Sequence, residues 1–131
     1  MKGFVDDIET LTKENTYFRR VLYTGTKLQL VLMALRPGEE IGEEVHKDRD
    51  QFFRIEKGKG EIDIDGVTTR VKSDMAMIVP AGTCHNVRNT GDRVLRFYTL
   101  YAPPEHVDGT IHATKADADA SDEHFDGKTT E

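Results

Sequence analysis

Between residues 17 and 102 the apolar positions come in short runs, broken by turn formers at fairly even intervals. The breaks fall at Gly25, Pro37-Gly38, Gly58-Lys59-Gly60, Asp65-Gly66, Pro80-Ala81-Gly82 and Asn89-Thr90-Gly91. The runs themselves are TYFRRVLYT, KLQLVLMALR, EEVH, QFFRIEK, GEIDID, VTTRVK, MAMIVP, TCHNVRN and DRVLRFYTLYA. Their β-branched and aromatic content is that of strands. In Glu61-Ile62-Asp63-Ile64-Asp65 apolar and polar side chains alternate, as on a strand with one wet face. Asp65-Gly66 between two runs predicts a tight hairpin. Eight or nine short strands joined by such turns predict an all-β chain, a sandwich or small barrel. Helical patterning is confined to the ends, in DDIETLTKE near the start and KADADASDEHF near the finish.

This patterning divides the 131 residues into an N-terminal segment (1–16), a barrel (17–102) and a C-terminal extension (103–131). From about Thr114 the extension is rich in Ala and Asp and poor in large apolar residues. It is either a short docked helix with a frayed tail or a disordered segment, so partial mobility is expected. The barrel is long enough to bury a core without covalent staples. The single cysteine, Cys84, rules out an internal disulfide framework and suits a reducing compartment. The N-terminus lacks the apolar region of a signal peptide, and no run approaches the roughly 18 apolar residues of a membrane span. The expectation is a soluble cytoplasmic protein that makes no membrane contact. A net charge of −6, with acidic residues thickening toward the C-terminus, is the wrong footprint for nucleic acid.

Two segments carry candidate chemistry. One is Glu44-Val45-His46-Lys47-Asp48-Arg49-Asp50-Gln51, either a solvated turn before an apolar strand or part of a metal site. The other is Pro80-Ala81-Gly82-Thr83-Cys84-His85-Asn86-Val87-Arg88-Asn89, in which a proline turn leads into a strand bearing one histidine. Together with the apolar strand before it, the second segment resembles the cupin pattern P-x-G-x-x-H-x-x-x-N. Asp74 stands where that family has a further glycine, and aspartate tolerates the turn conformations involved. The other cupin pattern, G-x5-H-x-H-x4-E-x6-G, is laid without a gap on Gly38, Glu44, His46, Gln51 and Gly58. Spacing is kept, while two of the three ligand positions in that pattern have changed residue type.

The resemblance implies a double-stranded β-helix, a jelly-roll-like barrel, with a divalent metal ion (Zn, Mn, Fe or Ni) held inside by Glu44, His46, Gln51 and His85. The family set of three histidines and one glutamate carries one negative charge, and so does this one, its carboxylate moved to the first position. Glu44 and His46, two apart, leave a strand on the same face. Gln51 has the wrong parity, so Lys47 to Asp50 must form a turn or bulge that resets it. A neutral amide is a weak ligand, so Gln51 either completes the site or orients water or substrate. Asp48 and Asp50 read as solvating the turn, with either able to substitute for Gln51. Phe53 and Ile55 share the inward parity of Gln51, and Val87 that of His85, which makes an apolar wall.

The remaining polar features read more simply. Cys84 should point away from the face of its neighbour His85, as a packing residue. Lys57-Gly58-Lys59-Gly60-Glu61 is a hairpin turn, not a phosphate loop. His106, Asp108 and His112 follow a double proline, as a rigid surface loop or as a polar cluster closing the barrel mouth. The resemblance also implies a homodimer, with LQLVLMAL (28–35) as the candidate edge contact. It leaves two kinds of function open: a metal-dependent enzyme on a small polar metabolite, isomerase-like, epimerase-like, lyase-like or dioxygenase-like, or a non-catalytic small-ligand binding or sensing module. A storage or scaffold role is a third.

Overall fold

A computed structural model describes residues 1–131. Two short helices, α1 (Ile8–Glu14) and α2 (Lys115–Asp119), flank the strands β1 (Arg19–Thr24), β2 (Gln29–Leu35), β3 (Asp50–Lys57), β4 (Lys59–Ile64), β5 (Val67–Lys72), β6 (Ala76–Val79), β7 (His85–Arg88), β8 (Leu95–Ala102) and β9 (Ile111–His112). All the pairings are antiparallel, in a six-stranded sheet ordered β6-β3-β8-β2-β1-β9 and a three-stranded sheet ordered β5-β4-β7. Side chains alternate along each strand, so the inner faces of the two sheets supply one core, including Val31, Met33, Leu35, Phe53, Ile55, Val87 and Phe97. Phe53, Ile55 and Val87 are all fully buried, as their parity required.

The turns follow their residue types. Asp65 and Gly66, at φ 49° and 80°, join β4 to β5 in the left-handed geometry that tight hairpins need. Asp74, in the position of the family's glycine, takes φ 75°. Gly58 has φ 95°, and a Cβ there would lie 2.9 Å from the Val94 carbonyl oxygen, so that turn admits no side chain.

Several expectations need correction. EEVH is not a regular strand: only Glu44 bridges, to His85, within an irregular segment running along β7. The predicted C-terminal helix is confined to Lys115–Asp119, with Thr114 as its N-cap in a capping box. LQLVLMAL is not an edge, because β2 lies between β1 and β8 with Val31, Leu32, Met33 and Leu35 fully buried. Its uniform apolarity comes from burial on both faces.

The extension returns to the barrel. His112 pairs with Arg19, the Phe125 N–H donates to the Glu105 carbonyl, and the Thr130 N–H donates to the Thr24 carbonyl. His106 and His112 are buried, at 8% and 7% exposure, so the surface-loop reading fails for both; Asp108 accepts a hydrogen bond from Thr130. No helix is long and apolar enough to cross a membrane.

Candidate metal site

The site begins with a backbone pairing. Residues 38 to 46 run antiparallel to β7, and the Glu44 and His85 backbones exchange both hydrogen bonds, at 2.9 and 3.0 Å. Directly paired residues on antiparallel strands project to the same face, so Glu44 and His85 meet inside the barrel. His46 joins them by parity, and its carbonyl accepts from the Gly82 N–H at 2.8 Å. Lys47 and Asp48 then turn, and β3 starts at Asp50 with Gln51 facing inward. The short turn resets the parity, and neither aspartate beside it joins the cluster. Asp48 pairs with Arg49, and the Asp50 side chain accepts from the Ala81 N–H at 2.8 Å.

The four expected residues lie together. The ligand atoms of Glu44, His46 and His85 all lie within 4.8 Å of one another. His46 Nε2 is 3.2 Å and His85 Nε2 3.9 Å from Glu44 Oε2, and His85 Nε2 is 3.1 Å from Gln51 Oε1. Ligands about 2.1 Å from one ion are separated by about 3.0–3.4 Å, so the spacing suits a small divalent cation with little rearrangement. His85 and Gln51 are buried at 3% and 2% exposure, while the Glu44 side chain, 31% exposed, forms the wet rim.

Hydrogen bonds fix which atoms face inward. The Thr99 hydroxyl donates to the Phe52 carbonyl at 2.8 Å and accepts from Gln51 Nε2 at 3.0 Å, turning Gln51 Oε1 toward His85. His85 Nδ1 lies 3.1 Å from the Thr83 carbonyl, which selects the Nδ1–H form and leaves Nε2 with a free electron pair. His85 Nε2 and Gln51 Oε1 face each other at 3.1 Å, a contact that a proton on Nε2 or a shared cation satisfies. A carboxylate oxygen, two imidazole nitrogens and an amide oxygen are a donor set that fits a divalent ion. Gln51 is brought to the cluster as an oxygen donor.

Charge follows the same plan. Burial pushes the Glu44 carboxyl up, but the His46 hydrogen bond and the charges of His46, Arg19 and His85 outweigh it and hold the carboxyl below its ordinary value. Burial opposes the charged form of His46, yet the Glu44 hydrogen bond and the Glu44 and Glu105 charges raise its pKa. Beyond the cluster, Glu105 Oε2 sits 3.7 Å from His46 Nδ1 and 2.9 Å from Arg49 Nε, a carboxylate charge behind the ring. The Tyr101 ring stands edge-on to His46, with centroids 5.7 Å apart. Burial lifts its phenol well above the usual range, so it stays a proton donor.

Sequence reasoning missed Glu105, Thr99 and Tyr101. The period-two pattern of β8, in which Phe97, Thr99 and Tyr101 are buried and Arg96, Tyr98 and Leu100 are partly exposed, was the available signal for the last two. Cys84 points away as expected, its thiol donating to Glu43. That hydrogen bond, together with burial and the Glu43 charge, raises the thiol pKa, the wrong direction for a nucleophile.

Comparisons with known proteins agree with this geometry. The family model described as Cupin domain matches residues 31–101, from β2 to β8. The chain is 47% identical over 128 residues to the protein YrkC of Bacillus subtilis (strain 168), covering 93% of this chain and 69% of that one. It is 33% identical over 95 residues to a protein of Streptomyces cyaneus named polyketide synthase CurC, covering 68% of this chain and 62% of that one. The crystal structure of BH2720 from Bacillus halodurans superposes with a TM-score of 0.90 at 48% identity, covering 92% of this chain and 96% of that one.

Proposed function

The chain belongs to the cupin family, and on that premise we propose that it is a metal-dependent enzyme acting on a small polar metabolite, with Glu44, His46 and His85 as ligands and Gln51 as a fourth ligand through its amide oxygen. The observation that carries this reading is the convergence of ligand atoms: a carboxylate oxygen and two imidazole nitrogens within 4.8 Å of one another, with an amide oxygen 3.1 Å from one of those nitrogens. The mixed nitrogen and oxygen set suits Fe(II), Mn(II), Ni(II) or Zn(II). Such an ion, when bound, supplies Lewis-acid chemistry, or with iron or manganese a centre for oxygen chemistry.

The chain's own residues supply the rest. Glu44, partly exposed at the rim, marks the side from which a metabolite reaches the cluster. Glu105 places a carboxylate charge on the Nδ1 side of His46, while hydrogen bonds to Thr83 and Thr99 hold His85 and Gln51. Tyr101 keeps its proton at neutral pH, with its hydroxyl 3.4 Å from His106 Nε2, and its ring stands edge-on to His46 as a wall of the site. Phe53 packs against His85, with centroids 6.2 Å apart, and closes the inner wall to water. The name of the Streptomyces relative points to small-molecule metabolism, in line with this reading.

The test is metal content in protein purified without a metal-binding tag, comparing wild type with His46→Ala and His85→Ala. About one equivalent in wild type and a loss of tenfold or more in both variants is expected. Equal, near-zero metal in all three would sink the reading. With metal bound, oxygen consumption with candidate metabolites separates dioxygenase-like chemistry from isomerase-like or lyase-like chemistry.

A further inference from the structure

The outer face of the small sheet carries a group of cations that the chain leaves without partners. Along β4 and β5, Gly60, Ile62 and Val71 turn into the core, so Lys59, Glu61, Arg70 and Lys72 project to the opposite face, away from His85 and Val87. Lys59 stands directly opposite Lys72, and Glu61 opposite Arg70. Like charges opposite one another on antiparallel strands repel, since their Cβ atoms are only about 5 Å apart. The ion pairs of the lysines and arginines use Lys13, Arg49, Arg54, Arg88 and Lys115, and none includes Lys59, Arg70 or Lys72.

These cations share a concave surface. Lys59, Arg70 and Lys72 line one groove of about 560 Å³, together with Glu61, Thr90 and the apolar side chain of Met75. A groove of that size takes a small organic molecule. Glu61 is the one carboxylate on the lining and lies 4.0 Å from Arg88, so the groove keeps an excess of positive charge on a chain of net charge −6. Lys59 is also placed in advance. A Cβ on Gly91 would lie 3.1 Å from Lys59 Cγ and 3.4 Å from its Cε, so the lysine stem runs along a residue that has no side chain.

We propose that this groove binds the phosphate group of a small phosphorylated metabolite, with Lys59, Arg70 and Lys72 on its oxygens, Thr90 as a hydroxyl donor and Met75 against the organic part. A dianion offsets the repulsion between Lys59 and Lys72, and the Arg70 guanidinium presents paired N–H groups to two phosphate oxygens. Side chains on two paired strands build the site, so it needs no glycine-rich loop at a helix N-terminus. It lies on the face opposite His85 and does not depend on what the metal-site residues hold.

The experiment titrates phenyl phosphate into the full chain, as purified and after chelator treatment, with inorganic phosphate and neutral phenol in parallel. Amide NMR shifts and the melting midpoint read binding. Phenyl phosphate should bind wild type equally in both states, shift the amides of residues 58–61, 70–72 and 90–91, and raise the midpoint. Phenol should not bind, and inorganic phosphate should bind more weakly than the ester. Lys72→Gln and Arg70→Gln should each weaken the ester about fivefold or more. Lys27→Gln, an equal loss of charge in the turn between β1 and β2, should leave it unchanged. Gly91→Ala keeps every charge and displaces only the Lys59 stem, and should weaken the ester about threefold or more; Lys59→Gln serves if Gly91→Ala does not fold. The midpoint of unliganded Lys72→Gln should not fall, since the exchange removes a like-charge pair. No ester binding to wild type, binding lost on chelator treatment, equal weakening by Lys27→Gln and Lys72→Gln, unchanged binding by Gly91→Ala and Lys59→Gln, or inorganic phosphate binding more tightly than the ester would overturn the proposal.

Discussion

Thr99→Val tests how the amide of Gln51 is aimed. Thr99 is fully buried and Gln51 is 2% exposed, so water cannot replace a lost partner in this part of the core. Valine keeps the shape of threonine, which leaves little cavity to account for, and removes only the hydroxyl that accepts from Gln51 Nε2 at 3.0 Å and donates to Phe52 at 2.8 Å. A buried amide donor left without a partner costs about 1–3 kcal/mol, so the expected total loss is about 2–3 kcal/mol. At roughly 3–4 °C per kcal/mol for a chain of this size, the melting midpoint should fall by about 6–12 °C. The same change frees Gln51 to turn its oxygen away from His85, and metal affinity should drop by about tenfold to a hundredfold, as for other groups that support a ligand from behind. Thr99→Ser, which keeps the hydroxyl, should retain the affinity even if it loses some stability. Differential scanning calorimetry and a competitive chelator titration read both quantities. An unchanged midpoint with unchanged affinity in Thr99→Val would refute the argument that this hydroxyl holds the site.

Further predictions concern the frame around the site. Gly58→Ala must carry a side chain at φ 95° with its Cβ 2.9 Å from the Val94 oxygen, and should lose about 2–4 kcal/mol in urea unfolding. Glu123 should make the chain acid-sensitive. Burial pushes its carboxyl up, but the His106 hydrogen bond and the Val107 N–H outweigh it and lower its pKa from the ordinary 4.5. Its contribution to stability is therefore fully present above about pH 4.5 and is lost as pH falls through the lower folded value. Urea unfolding of Glu123→Gln should show a flatter acid limb in that window, and identical limbs would refute the coupling.

The sequence carried the site better than its surroundings. Glu44, His46 and His85 were legible because strand parity and motif spacing are local facts, and the parity problem at Gln51 already required the turn found at Lys47 and Asp48. LQLVLMAL was misplaced because a run buried on both faces looks the same whether another strand of the chain or a second copy covers it. EEVH was overcalled because its pairing depends on β7, about 40 residues further along, and leaves one isolated bridge. His106 and His112 could not be recognised as buried, since what buries them includes Glu123 and Arg19, far away in the chain. Arg19 was not singled out for the same reason: nothing in TYFRRVLYT marks it as buried, and its place opposite Met33 and His112 depends on partners elsewhere in the chain.

The most direct test of the account is X-ray absorption at the metal edge of the loaded full chain, wild type beside His85→Ala. The account predicts one bound ion with two imidazole nitrogens and the remaining contacts to oxygen, no sulfur from Cys84, and loss of an imidazole contribution in the variant. A sulfur ligand, or an imidazole contribution unchanged by His85→Ala, would contradict it.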